Sequence, residues 1–118
     1  MTDVFSGRVL YVEDEPLIAM ETEDVLRDLG FSKIDMHHTF DRAMTALDES
    51  EYDLAIMDMN LNGTLSSPLI ERLTERKTPI VVTTGYNAAQ DMAGIAFVTV
   101  RKPFSGEQLK TAIERARG

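Results

Sequence analysis

The residues able to do chemistry stand at the ends of short apolar runs. Glu13 and Asp14 follow Arg8 to Val12, Asp58 closes Leu54 to Asp58, Thr83 and Thr84 close the run from Ile80, and Arg101 and Lys102 follow Ala96 to Val100. One polar residue at a strand end reads equally well as a solvated turn; four such ends at one edge of a sheet read as a site. Carboxylates gathered in one crevice repel, so one takes a proton or a cation binds. A hard, oxygen-only donor set with few protein ligands suits Mg²⁺, which keeps several waters and bridges to phosphate. Glu13, Asp14 and Asp58 supply the carboxylates, and the backbone carbonyl of Asn60 is a candidate further ligand. Lys102 offers a point charge for phosphate oxygens, and Thr84 a hydroxyl donor. Phosphoryl transfer asks for little beyond positioning and charge neutralisation. A carboxylate can itself be the nucleophile, giving an acyl phosphate.

The elements that must position these groups alternate along the chain. The four runs above are β-branched or aliphatic, as strands buried on both faces require, whereas Ser32 to His37 is more polar and suits an edge strand. Between them the period changes. Ile18, Thr22, Val25 and Leu29 form a helical stripe, opened by Pro16 and closed by Gly30. Phe40, Ala43, Met44 and Leu47 form a second, and Leu109, Ala112, Ile113 and Ala116 a last one. Ser105 with Gln108 is a capping-box pattern, and Ser66-Ser67-Pro68 opens a helix running to about Glu75. A fourth helix, near Ala88 to Met92, is short and weakly patterned. Strand and helix in repeated alternation imply an α/β fold, a parallel sheet with helices on both faces. Ligands of such folds bind beyond the carboxyl ends of the strands, where these polar residues stand.

Composition narrows the function further. The 118 residues are one domain's worth, 43% of them hydrophobic and 27% charged. A net charge of −8 opposes direct nucleic-acid binding, which needs a basic patch; Arg115 and Arg117 read instead as cations at a helix C-terminus. Without cysteine there is no disulfide or thiolate site. No apolar run reaches the roughly 18 residues of a membrane span, and no basic leader precedes an apolar stretch, so the expected location is the cytoplasm.

Four pieces in order carry a family resemblance: Val9-Leu10-Tyr11-Val12-Glu13-Asp14-Glu15, Ala55-Ile56-Met57-Asp58-Met59-Asn60, Pro79-Ile80-Val81-Val82-Thr83-Thr84-Gly85 and Arg101-Lys102-Pro103-Phe104. Across essentially its whole length the chain resembles the receiver domains of two-component response regulators. The resemblance implies a doubly wound (βα)5, flavodoxin-like three-layer sandwich with strand order 2-1-3-4-5, occupying residues 1–118 as a single domain with no output domain. It implies that Asp58 accepts phosphate from a phosphohistidine of a sensor kinase or phosphotransfer protein. By the same resemblance Glu13 and Asp14 help to hold Mg²⁺, and Thr84 and Lys102 contact the phosphate. The aromatic usual three residues before the lysine is replaced by Thr99, with Phe97 nearby. Strand four, continuing into Gly85-Tyr86, resembles the "FAT GUY" subgroup, which implies an HWE-type or related kinase. Helix four and its flanking loops are the expected switch.

Other signals are weaker. Asp58 to Gly63 mimics the start of a calcium loop, but its twelfth position is Leu69 and Asn62-Gly63 reads as a turn. His37 and His38, adjacent on a strand, face opposite ways and read as a surface pair. The methionines read as core packing. Two functions compete with a phosphate-accepting signalling module. A pseudo-receiver that binds partners without phosphorylation is disfavoured by Asp58 and Lys102; an aspartyl-phosphate phosphatase wants an acid where Asn60 stands.

Overall fold

The computed structural model describes residues 4–84 and 97–118. The helix expected near residues 88–92, the Gly85-Tyr86 pair and the start of the last strand at Ala96 lie outside the described residues. The strands are β1 (Arg8–Val12), β2 (Lys33–His37), β3 (Leu54–Asp58), β4 (Asn60–Leu61), β5 (Thr64–Leu65), β6 (Ile80–Thr84) and β7 (Val98–Arg101). The helices are α1 (Pro16–Leu29), α2 (Phe40–Glu49), α3 (Ser67–Glu75) and α4 (Gly106–Arg117). Five strands form one sheet in the order β2-β1-β3-β6-β7, and every pairing in it is parallel. With the small β4–β5 hairpin set aside, this is the order 2-1-3-4-5 of the doubly wound flavodoxin-like fold.

Alternation along the strands divides the core in two. Leu10, Val12, Ala55, Met57, Ile80 and Val82 face α2 and α3, meeting Ala43, Leu47, Leu69, Ile70 and Leu73. Val9, Tyr11, Leu54, Ile56 and Val81 face the other way, toward Ala19 and Leu26 of α1 and Leu109, Ala112 and Ile113 of α4. Both faces are covered, so β1, β3 and β6 are apolar at consecutive positions. Each fully buried aliphatic side chain stabilises by about 1.5–3 kcal/mol. The edge strand β2 is only half-buried.

Local signals act as read, with two adjustments. Ser105 and Gln108 form the complete capping box at α4, and Gly30 closes α1 at φ 128°, a conformation that glycine adopts without strain. On α1 the deeply buried residues are Ala19, Thr22 and Leu26, so the core stripe is rotated by about one residue from the sequence reading and Ile18, Val25 and Leu29 flank it. The methionine reading fails at Met20, which is 61% exposed beside Leu17, itself 68% exposed.

Candidate active site at the carboxyl rim of the sheet

Sheet register sets the rim. Val12 pairs with Met57, Asp58 with Thr83 and Thr84 with Arg101. The residues that follow β1, close β3, close β6 and follow β7 are therefore neighbours around one edge. Glu13 and Asp58 reach the same cation: the Lys102 ammonium lies 2.8 Å from Glu13 Oε1 and 2.7 Å from Asp58 Oδ2. Asp14 completes a group whose carboxylate oxygens lie within 4.8 Å of one another across Glu13, Asp14 and Asp58. Two carboxylates thus share one ammonium, with the third beside them.

The backbone fixes each group. Met59 N–H donates to the Thr83 carbonyl at 2.9 Å, carrying the β3–β6 ladder one step past Asp58. Asn60 N–H donates to Asp58 Oδ1 at 3.3 Å, and Asn60 Oδ1 accepts from Gly63 N–H at 2.7 Å, closing the β4–β5 turn. Asn62 and Gly63 both have positive φ, 53° and 91°, as a tight hairpin turn demands. Glu15 N–H donates to Glu13 Oε2 at 3.1 Å, folding the β1–α1 loop over the acid. Lys102 N–H donates to the Thr84 carbonyl at 2.8 Å, anchoring the lysine to β6. Thr84 is itself buried at this rim. Thr83 Oγ1 instead lies 3.5 Å from the Met57 carbonyl within the ladder.

Electrostatics follow from burial. Glu13 is 1% exposed, and burial pushes its carboxyl above the usual range against the pull of Lys102, with Asp58 adding repulsion. Burial works against the charge on Lys102, but the hydrogen bonds and charges of Asp58 and Glu13 outweigh it and hold the ammonium above its ordinary value. The rim keeps lysine charged and has negative charge to spare. Its donors among the described residues are oxygens, which fits a hard divalent cation rather than a soft one.

Two residues read as a bland surface pair prove to be engaged. His37 Nε2 lies 3.0 Å from Asp35 Oδ1, and Tyr52 Oη donates to Asp35 Oδ2. His38 is exposed, yet its Nδ1 lies 2.9 Å from the Glu13 carbonyl. Only the fold could reveal these contacts; nothing in local spacing links residue 38 to residue 13. Phe97 is partly buried and packs on the α2–α3 side, and strand alternation puts Thr99 on that same face of the sheet, exposed.

Beside the rim, Ile18, Thr22, Val25, Pro103 and Phe104 line a largely apolar groove of about 370 Å³ that reaches Lys102. The exposed Leu17 and Met20 lie on the same helix.

A five-stranded parallel sheet with an acid-lysine cluster at its carboxyl rim is the architecture of a receiver. The response regulator receiver domain family matches residues 9–114, and the chain belongs to that family. It is 32% identical to the transcriptional regulatory protein PdtaR of Mycobacterium tuberculosis over 92% of this chain and 56% of that protein. It is equally identical to the regulatory protein VanR of Enterococcus faecium, over 73% of this chain and 37% of the relative. The chain therefore spans about half, or less, of these relatives' length. Among solved structures, SdrG from Sphingomonas melonis Fr1 superposes with a TM-score of 0.83 at 32% identity, covering 98% of both chains. The receiver domain of PhyR from Erythrobacter litoralis superposes at 0.80 with 29% identity, covering 94% of this chain and 89% of that one.

Proposed function

We propose that this chain is a response-regulator receiver that takes a phosphoryl group onto Asp58 and signals by phosphorylation-dependent protein binding or by draining phosphate. The observation carrying the proposal is the Lys102 ammonium held between Glu13 and Asp58, with Asp14 beside them. In the reaction, Asp58 attacks the phosphorus of a phosphohistidine as its N–P bond breaks, and the freed imidazole takes a proton. Lys102 neutralises phosphate oxygens and Thr84 donates a hydrogen bond to them. Glu13, Asp14, Asp58 and the Asn60 carbonyl would hold Mg²⁺, which when bound screens phosphate charge.

The donor is a sensor histidine kinase, of HWE type by the sequence resemblance, or a phosphotransfer protein. The groove along α1, with Leu17 and Met20 exposed at the rim, suits an apolar helix of that donor. The protein catalyses its own phosphorylation and dephosphorylation without multiple turnover and works in the cytoplasm. Among the described residues no helix is long and apolar enough to cross a membrane. Incubation with Mg²⁺ and a small phosphodonor should add the mass of one phosphoryl group, and Asp58→Asn should abolish the gain. A magnesium-loaded protein that takes up none would instead be a pseudo-receiver.

A further inference from the structure

We infer that His38 is a positioning residue for the acidic rim: its imidazole holds the Glu13 carbonyl and thereby aims Asp14 at the cation site. The inference rests on the divalent-cation reading given under Proposed function. It begins where the β1–β2 ladder ends. The last paired residues are Val12 and His37, and Glu13 N–H still donates to the His37 carbonyl at 3.0 Å. Beyond that point Thr39 turns away to cap α2, its side chain accepting from Arg42 N–H. The His38 ring extends the pairing by one further rung, with Nδ1 2.9 Å from the Glu13 carbonyl oxygen. A carbonyl only accepts, so Nδ1 carries the proton in this contact.

The consequence passes through a planar peptide. Fixing the direction of the Glu13 carbonyl fixes the plane of the Glu13–Asp14 peptide, and with it the step from which the Asp14 side chain leaves. On the other side of Asp14, Glu15 N–H is tied to Glu13 Oε2 at 3.1 Å. Asp14 is thus held from both neighbours while its carboxylate stays within 4.8 Å of those of Glu13 and Asp58. Mg²⁺ demands near-ideal ligand geometry, so a loosened peptide costs affinity. Supporting residues of this kind change metal affinity by about 10–100-fold.

The test compares side chains that differ in where they place a donor. His38→Asn puts its amide nitrogen near the position of Nδ1; His38→Gln puts it one carbon further out. Mg²⁺ alone is titrated calorimetrically into wild type and both variants, and urea unfolding is followed without metal to establish that each is folded. His38→Gln should bind Mg²⁺ about tenfold more weakly, and His38→Asn should bind close to wild type. The inference is overturned if the two folded variants bind alike, or if His38→Gln keeps wild-type affinity. A purely structural tether would lower metal-free stability without separating them in Mg²⁺ affinity. If wild type itself binds no Mg²⁺, the cation reading falls first and takes this inference with it.

Discussion

Two polar clusters flank the seam between β1 and β2, and they are balanced in opposite ways. At the carboxyl rim, Glu13 and Asp58 share the Lys102 ammonium with Asp14 beside them, three acids to one paired cation among the described residues. At the sheet edge, Asp35 accepts a hydrogen bond from Tyr52 at one oxygen, has His37 Nε2 3.0 Å from the other, and feels the charge of Arg8. The edge cluster closes on itself and ties β2 to the segment entering β3. The rim cluster stays open: it is built at a strand end, its acids outnumber the ammonium that Glu13 and Asp58 share, and its grouped carboxylates suit a divalent cation. An unbalanced polar cluster at a switch of strand order marks chemistry, whereas a balanced one marks architecture.

The strongest way to break that contrast is to remove the cation the rim already has. Lys102→Ala leaves Glu13 and Asp58 facing each other, mostly buried and unpaired. Metal-free stability should fall by about 3 kcal/mol, the scale for breaking a buried ion pair from one side. Added Mg²⁺ should restore part of the loss, since a ligand bound only by the folded state stabilises it. Phosphoryl uptake from a small donor should drop on the order of 100-fold, as when one charge-stabilising donor is lost. Unchanged stability, measured by urea unfolding with and without Mg²⁺, would mean that the lysine is not what makes the acids tolerable.

The edge cluster should answer differently. Tyr52→Phe removes one donor from Asp35 and keeps the ring that packs on the α2–α3 side. A hydrogen bond to a charged group is worth about 1.5–3 kcal/mol when buried, and this half-exposed one should contribute about 1 kcal/mol. Phosphoryl uptake and Mg²⁺ affinity should stay at wild-type values. A loss of uptake would join the two clusters into one functional unit and erase the distinction.

The contrast also explains what could be read from the chain alone. Strand ends are visible in sequence because apolar runs stop at them, so Glu13, Asp14, Asp58 and Lys102 could be gathered at one rim before any coordinates. β1 runs from Arg8 to Val12 as its pattern dictates, and α4 starts where its capping box does. The β4–β5 hairpin was not legible as strands, because a two-residue strand is too short to display a period; only its Asn62-Gly63 turn left a signal. On α1 the stripe is one residue off, since Ile18 and Val25 outweigh Ala19 in hydrophobicity although Ala19 is the one fully buried. Tyr52 with Asp35, and His38 with Glu13, join residues 17 and 25 apart in the chain. Such pairs exist only once strands β1, β2 and β3 lie side by side.

The gentlest probe is pH, and it sharpens the edge cluster from both ends. Burial works to raise the Asp35 carboxyl, but the Tyr52 and His37 donors outweigh it and hold the group below the ordinary aspartate value of 3.8. A carboxyl lowered on folding adds stability that is present above its unfolded value and is lost as pH falls through the lower, folded one. For Tyr52 the sign reverses. Burial first, then the hydrogen bond to Asp35 and its charge, push the phenol above its ordinary value of 10.0. That contribution is present below pH 10 and is lost as pH rises beyond it. With Asp35 substantially exposed, the acid-side effect is small. Wild type should therefore lose this increment on going below about pH 4 and again above about pH 10, and Tyr52→Phe should flatten both limbs in a series of urea midpoints. If Tyr52→Phe leaves the acid limb as steep as in wild type, the Asp35 carboxylate draws its support from His37 and Arg8 rather than from Tyr52.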